Sequence, residues 1–139
     1  MAVQLSTAVR NARLDAVEST VGTSAKLYIY SGSVPANCAA ADPAGLLATL
    51  TLPSDWMAAA SSGAKALAGT WTGTGSAAGT GASFRIKDNA GTTCHLQGTF
   101  GTSGTDMIAD NAVIASGQTI NVTGFTLTTY LSSRVAGIP

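Results

Sequence analysis

After Gly22 the apolar period of this chain changes from helical to two. That switch limits what the chain can fold into. A period of two puts neighbouring side chains on opposite faces of a strand, so most of the chain beyond Gly22 reads as β-structure with one apolar and one Thr/Ser face.

The segment before the switch is a helix from about Ser6 to Val21. Ser6 or Thr7 can accept a backbone N–H bond as N-cap. Gly22 stands where a helix stops, because glycine takes positive φ without penalty. Leu5, Val9, Ala12 and Ala16 form one stripe, and Leu14, Val17 and Val21 an adjacent one. Arg10, Arg13, Asp15 and Glu18 fill the remainder. The small residues of the first stripe allow close approach of another element. Two readings stand open: the helix packs on its own β domain, or it docks on another subunit or a copy of itself. On the second reading, Leu5, Val9, Ala12, Arg13 and Ala16 are the assembly interface.

The β region opens with a strand over Ala25 to Tyr30, ended by Ser31, Gly32 and Pro35. A loop carrying Cys38 follows. Leu46 to Leu52 is a second strand, with Leu46, Ala48, Leu50 and Leu52 on one face. Ser54-Asp55 reads as the cap of a short helix from Asp55 to about Ala60. A third strand is expected over Lys65 to Trp71, and GTGSAAGTG (Gly73 to Gly81) reads as a loop. Ser83 to Lys87 and Thr92 to Phe100 form a hairpin about the turn Asp88 to Gly91. In it Cys94, Leu96, Gly98 and Phe100 share a face, which points Cys94 into the core. Met107 to Ile114 and Thr119 to Thr129 complete the set. The apolar phase shifts at Gly124, which predicts a β-bulge.

About seven short strands at regular spacing predict a mainly β protein: an antiparallel β-sandwich or jelly-roll-like domain preceded by an N-terminal amphipathic α-helix. The expected division is residues 1–22 for the helix, as anchor or oligomerisation device, 23–131 for the β-sandwich and 132–139 for a C-terminal tail.

Chemistry is sparse. Charged residues are 10% of 139 positions, there is one histidine, and 7 Lys+Arg balance 7 Asp+Glu. Nothing in that balance drives binding to nucleic acid, which rests on phosphate neutralisation. Net charge near zero also gives little protection against self-association. No apolar run approaches the roughly 20 residues that span a bilayer, and the charged N-terminus lacks a secretory h-region.

His95 lies between Cys94 and Leu96, and strand alternation turns it away from Cys94, which argues against a Cys–His pair. There is no second histidine for a metal site. Gly73 to Ala78 fits GxGxxA formally, but no helix follows to hold a pyrophosphate. Asp106 and Asp110 read as turn and edge residues. Trp56 and Trp71 read as core or rim residues, although with Tyr28, Tyr30 and Tyr130 they could form a sugar-stacking platform. No catalytic residue, cofactor or metal is expected. Cys38 and Cys94 are either two buried thiols or a candidate disulfide pair. Pairing would contribute on the order of 4 kcal/mol in the chain-entropy model.

Four stretches carry a resemblance: QLSTAVRNARLDAVESTVGTSA, LATLTLPSDWMAAASSGAK followed by GTW, FRIKDNAGTTCHLQG, and DNAVIASGQTINVTGFTLT. Together they resemble a family of small virion structural proteins encoded by tailed phages and prophages, over roughly Val3 to Thr129. The resemblance carries no mechanism. It implies a non-catalytic virion part, made in the bacterial cytoplasm. The leading expectation is a capsid-decorating (cement or head-fibre) subunit that forms a trimer or dimer on the major capsid protein. A tail, collar or neck-fibre component is the second expectation, and a glycan-binding host-attachment module the third.

Overall fold

A computed structural model gives the fold and describes residues 3–128. It contains one helix, α1 (Thr7–Val21), and ten strands. These are β1 (Lys26–Tyr30), β2 (Leu46–Thr51), β3 (Ala64–Ala66), β4 (Trp71–Thr74), β5 (Gly79–Thr80), β6 (Ser83–Lys87), β7 (Cys94–Gly101), β8 (Met107–Ala109), β9 (Val113–Ile114) and β10 (Thr119–Thr128). The expected tail and Tyr130 lie outside the described residues.

The helix forms where its caps dictate. Ser6 Oγ accepts from Val9 N–H at 3.2 Å, and Gly22, at φ 96°, donates its own N–H to Glu18 O.

The strands follow one path, β2-β1-β6-β7-β8-β10-β3, with β4 also on β10 and a separate β5-β9 pair. Most pairs are antiparallel, but β7 and β8 run parallel. The path curls into a half-barrel of mixed sheet, so the expected mainly β fold with an N-terminal helix is present. Its ends touch at one place. Ala48 in β2 bridges Gly75 just after β4, and Ser76 N–H donates to Leu47 O at 2.8 Å. A Cβ on Gly73 would lie 2.6 Å from Leu50 Cγ, so glycine lets β4 come this close to β2.

The concave face holds the core. Leu27 and Ile29 of β1, Leu50 of β2, Phe84 and Ile86 of β6, Phe100, Met107, Ile120 and Phe125 pack there around Trp56 and Trp71. The two indoles lie 5.9 Å apart and Trp71 lies 5.6 Å from the Phe125 ring. Both indole N–H groups are satisfied, by Gly22 O and Trp56 O. Trp56 and Trp71 are thus core residues.

Six sequence expectations change. The loop expected over Gly73 to Gly81 carries the end of β4 and all of β5, and the strand expected over Met107 to Ile114 is two, β8 and β9. The segment 55–60 is not helical: Met57 bridges Leu67, and its amides find partners on α1 instead of within a turn. The expected third strand is two, β3 and β4, separated by Gly69 at φ 69°. Leu46 is exposed, because the β1-β2 register skips Leu47 and pairs Leu46 with outward Tyr30. Cys94 does not face the core. The β6-β7 register pairs Ile86 with Leu96 but Lys87 with Cys94, so His95 is an extra residue. That bulge rotates Cys94 to the convex side, beside Lys87. The bulge expected near Gly124 is present, between Val122 and Gly124.

Candidate functional site

Helix α1 is docked on the body by its polar side. Asn11, Leu14, Asp15, Glu18 and Val21 fall on one face at helical spacing. Leu14 and Val21 are buried. The polar three reach the 57–65 segment. Met57 N–H donates to Glu18 Oε2 at 3.0 Å, Ala60 N–H to Asp15 Oδ1 at 2.9 Å, and Gly63 N–H to Asn11 Oδ1 at 2.9 Å. At the centre stands Lys65 of β3, 2% exposed. Its Nζ lies 2.7 Å from Asp15 Oδ1, 3.0 Å from Glu18 Oε1 and 2.9 Å from Ala58 O. Burial works against the charged lysine, but hydrogen bonds to Asp15 and Glu18 outweigh it and hold its pKa above the ordinary value. The same Lys65 hydrogen bond, with the Ala60 amide, holds the Asp15 carboxyl below its ordinary value.

The opposite face of α1 is left open. Val9, Ala12 and Ala16 are exposed, and Leu5 and Arg13 are half-buried. Val9 and Val3 are among the most exposed large apolar residues of the described chain. The docking face is therefore mixed, apolar at Leu14 and Val21 and polar at Asn11, Asp15 and Glu18, and a second apolar stripe, Val9, Ala12 and Ala16, is turned outward. The five residues of the expected interface share one accessible side.

A second polar cluster sits on the convex face. The loop Ser31–Gly45 closes on itself through Ser31 N–H to Gly45 O and Gly32 N–H to Ala44 O. It then folds over β6 and β7. Every residue of β6 is buried as a result, Phe84 and Ile86 in the core and Ser83, Arg85 and Lys87 under the loop. Arg85 donates to Asn37 O, Ala40 O, Asp42 Oδ1 and Gln97 Oε1 at 2.9–3.1 Å. Lys87 Nζ lies 2.8 Å from Asp42 Oδ2. These hydrogen bonds, the Lys87 one foremost, hold the Asp42 carboxyl below its ordinary value. Tyr30 lies on the same face, and burial pushes its phenol up to about 12.

Cys38 and Cys94 line one shallow hollow here, with Asp42, Arg85, Lys87 and Thr92. Both are free thiols and half-buried. Burial, and then the Cys38 side chain beside it, pushes the Cys94 thiol up to about 12.

The remaining sequence candidates fall elsewhere. His95 lines a groove with Arg13, Ala16, Val17 and Thr20 of α1, and is turned away from the hollow that holds Cys94. Asp106 accepts from Thr99 N–H and Asp110 from Asn121 N–H, as turn and edge residues do. Among the described residues no three His, Cys, Asp or Glu side chains cluster to hold a metal, and no helix is long and apolar enough to cross a membrane.

Sequence reasoning missed Lys65, Arg85, Lys87 and Asp42. One signal was present. Arg85 and Lys87 alternate with Phe84 and Ile86, so a strand with an apolar face has a cationic one, and Asp42 is the sole carboxylate in the loop nearby.

No family model matches the chain, and no curated protein or solved structure matches it.

Proposed function

We propose that this chain is a non-catalytic structural protein of a tailed-phage virion. In its leading form it is a capsid-decorating subunit that binds the major capsid lattice, and it associates with copies of itself as a trimer or dimer. The observation that carries the reading is helix α1, which keeps an apolar stripe exposed after docking. Its polar groups are committed to the 57–65 segment, while Val9, Ala12 and Ala16 are presented outward. An apolar stripe of small residues on a rigidly held helix suits close packing against another subunit. The sequence resemblance and the neutral, Thr/Gly-rich β body support the same reading. A β body of jelly-roll type, built from this curled sheet, belongs to that proposal.

The test is copy number in purified particles of the encoding phage, measured by quantitative mass spectrometry against the major capsid protein. Copies comparable to the capsid protein support decoration. A few copies per particle move the chain to the tail, collar or neck. Absence from the particle overturns the reading. The substitutions Val9→Glu and Ala16→Glu then address the interface. Each should abolish incorporation while changing stability by less than about 0.5 kcal/mol, as exposed positions do.

A further inference from the structure

We propose that Cys38 and Cys94 are the two halves of a reversible disulfide that latches the Ser31–Gly45 loop onto β7. The bulge at His95 makes this geometry available. Without it Cys94 would point into the core, out of reach of any loop residue; with it Cys94 stands on the convex face beside Lys87. The loop is held over that same face. Gln97, the outward neighbour of Cys94 on β7, donates to Pro35 O at 2.9 Å. Arg85 donates to Asn37 O and Ala40 O, which bracket Cys38 on both sides. Cys38 is thus fixed opposite Cys94, and the two line one hollow of about 610 Å³. The hollow is open, so a small oxidant can enter it.

The chemistry is thiol–disulfide exchange with a low-molecular-weight disulfide such as oxidised glutathione. Cys94 is held protonated by burial, so the Cys38 thiolate attacks first. It forms a mixed disulfide and releases one glutathione thiolate. Cys94 then gives its proton to solvent, attacks the Cys38 sulfur and releases the second glutathione thiolate. The protein loses two protons and two electrons, and oxidised glutathione takes them up to become two reduced molecules. Excess reduced glutathione runs the sequence backwards.

The experiment incubates the full chain with oxidised glutathione, then counts free thiols by alkylation and mass spectrometry. The expected product is a chain with no covalent cross-link to another copy, no free thiol, no glutathione adduct and a Tm raised by roughly 10 °C. Dithiothreitol should restore both thiols. Cys94→Ser should stop at a stable mixed disulfide on Cys38, and Cys38→Ser should react with oxidised glutathione much more slowly, which together show the order of attack. Adducts on both cysteines, a cross-linked dimer or two unreacted thiols would overturn the bond. An intramolecular bond with an unchanged or lowered Tm would overturn the latch.

Discussion

The two polar clusters of this protein are mirror images in charge. On the helix side one buried cation, Lys65, meets two carboxylates, Asp15 and Glu18. On the loop side two buried cations, Arg85 and Lys87, share one carboxylate, Asp42. Each fastens a covering element to the β body. The difference lies in how many bonds the cation makes to backbone. Lys65 contacts one carbonyl, Ala58 O, and leaves the rest of the docking to helix side chains that take amides of the 57–65 segment. Arg85 uses its planar fork to hold two loop carbonyls as well as Asp42 and Gln97. The loop therefore hangs mainly on Arg85, with single bonds from Ser83, Lys87 and Gln97, whereas the helix docking is shared among Asn11, Asp15, Glu18 and Lys65.

That contrast predicts unequal losses. Arg85→Met should cost the most, on the order of 3 kcal/mol, because it strands two loop carbonyls and the Gln97 side-chain oxygen at once, while Asp42 keeps Lys87. Urea unfolding measures it, and the loop should become the first site of proteolysis. Lys65→Met should cost less, about 2 kcal/mol, since half-exposed Asp15 can turn to water and the helix keeps its amide contacts. A Lys65→Met loss equal to or above that of Arg85→Met would break the comparison.

pH sharpens it. The folded pKa of Lys65 is raised, so its contribution is full below the unfolded lysine value near about 10.4 and fades as pH rises through the folded value. Wild type should lose stability in that alkaline window, and Lys65→Met should lack this component. Asp15 and Asp42 are both lowered, so their contributions are present above about pH 3.9 and fade as pH falls through their folded values. Acid should therefore loosen both clusters together. Unfolding curves across pH, run on both proteins, separate the two limbs. The smallest effect belongs to Cys94→Ser under reducing conditions. On the convex polar face a hydroxyl finds partners, so the change should stay within about 1 kcal/mol in thermal unfolding. A core cysteine would lose more.

Local signals were legible in the sequence and long-range ones were not. Ser6 and Gly22 cap α1 as read, because capping involves residues within one turn. The Gly124 bulge was legible because the apolar phase visibly changes there. The His95 bulge was hidden, since Cys94 and Leu96 look like one apolar phase, and nothing local distinguishes a buried from a loop-covered cysteine. The burial of Arg85 and Lys87 depends on a loop more than 40 residues upstream returning over β6. The polar half of the α1 docking face was equally hidden. Asp15 finds Lys65 only once the chain has folded back 50 residues later, and without that partner its carboxylate reads as a solvent face.

The account rests most heavily on α1 being held through its polar side. Amide hydrogen exchange by NMR tests that directly at Met57, Ala60 and Gly63, none of which lies within a regular strand. Their N–H groups donate to Glu18, Asp15 and Asn11. The account predicts protection comparable to that of the β3 amides, lost at Ala60 in Asp15→Ala and at Met57 in Glu18→Ala. Exchange at loop rates in the wild-type protein would contradict it, and with it the outward stripe on which the proposed assembly depends.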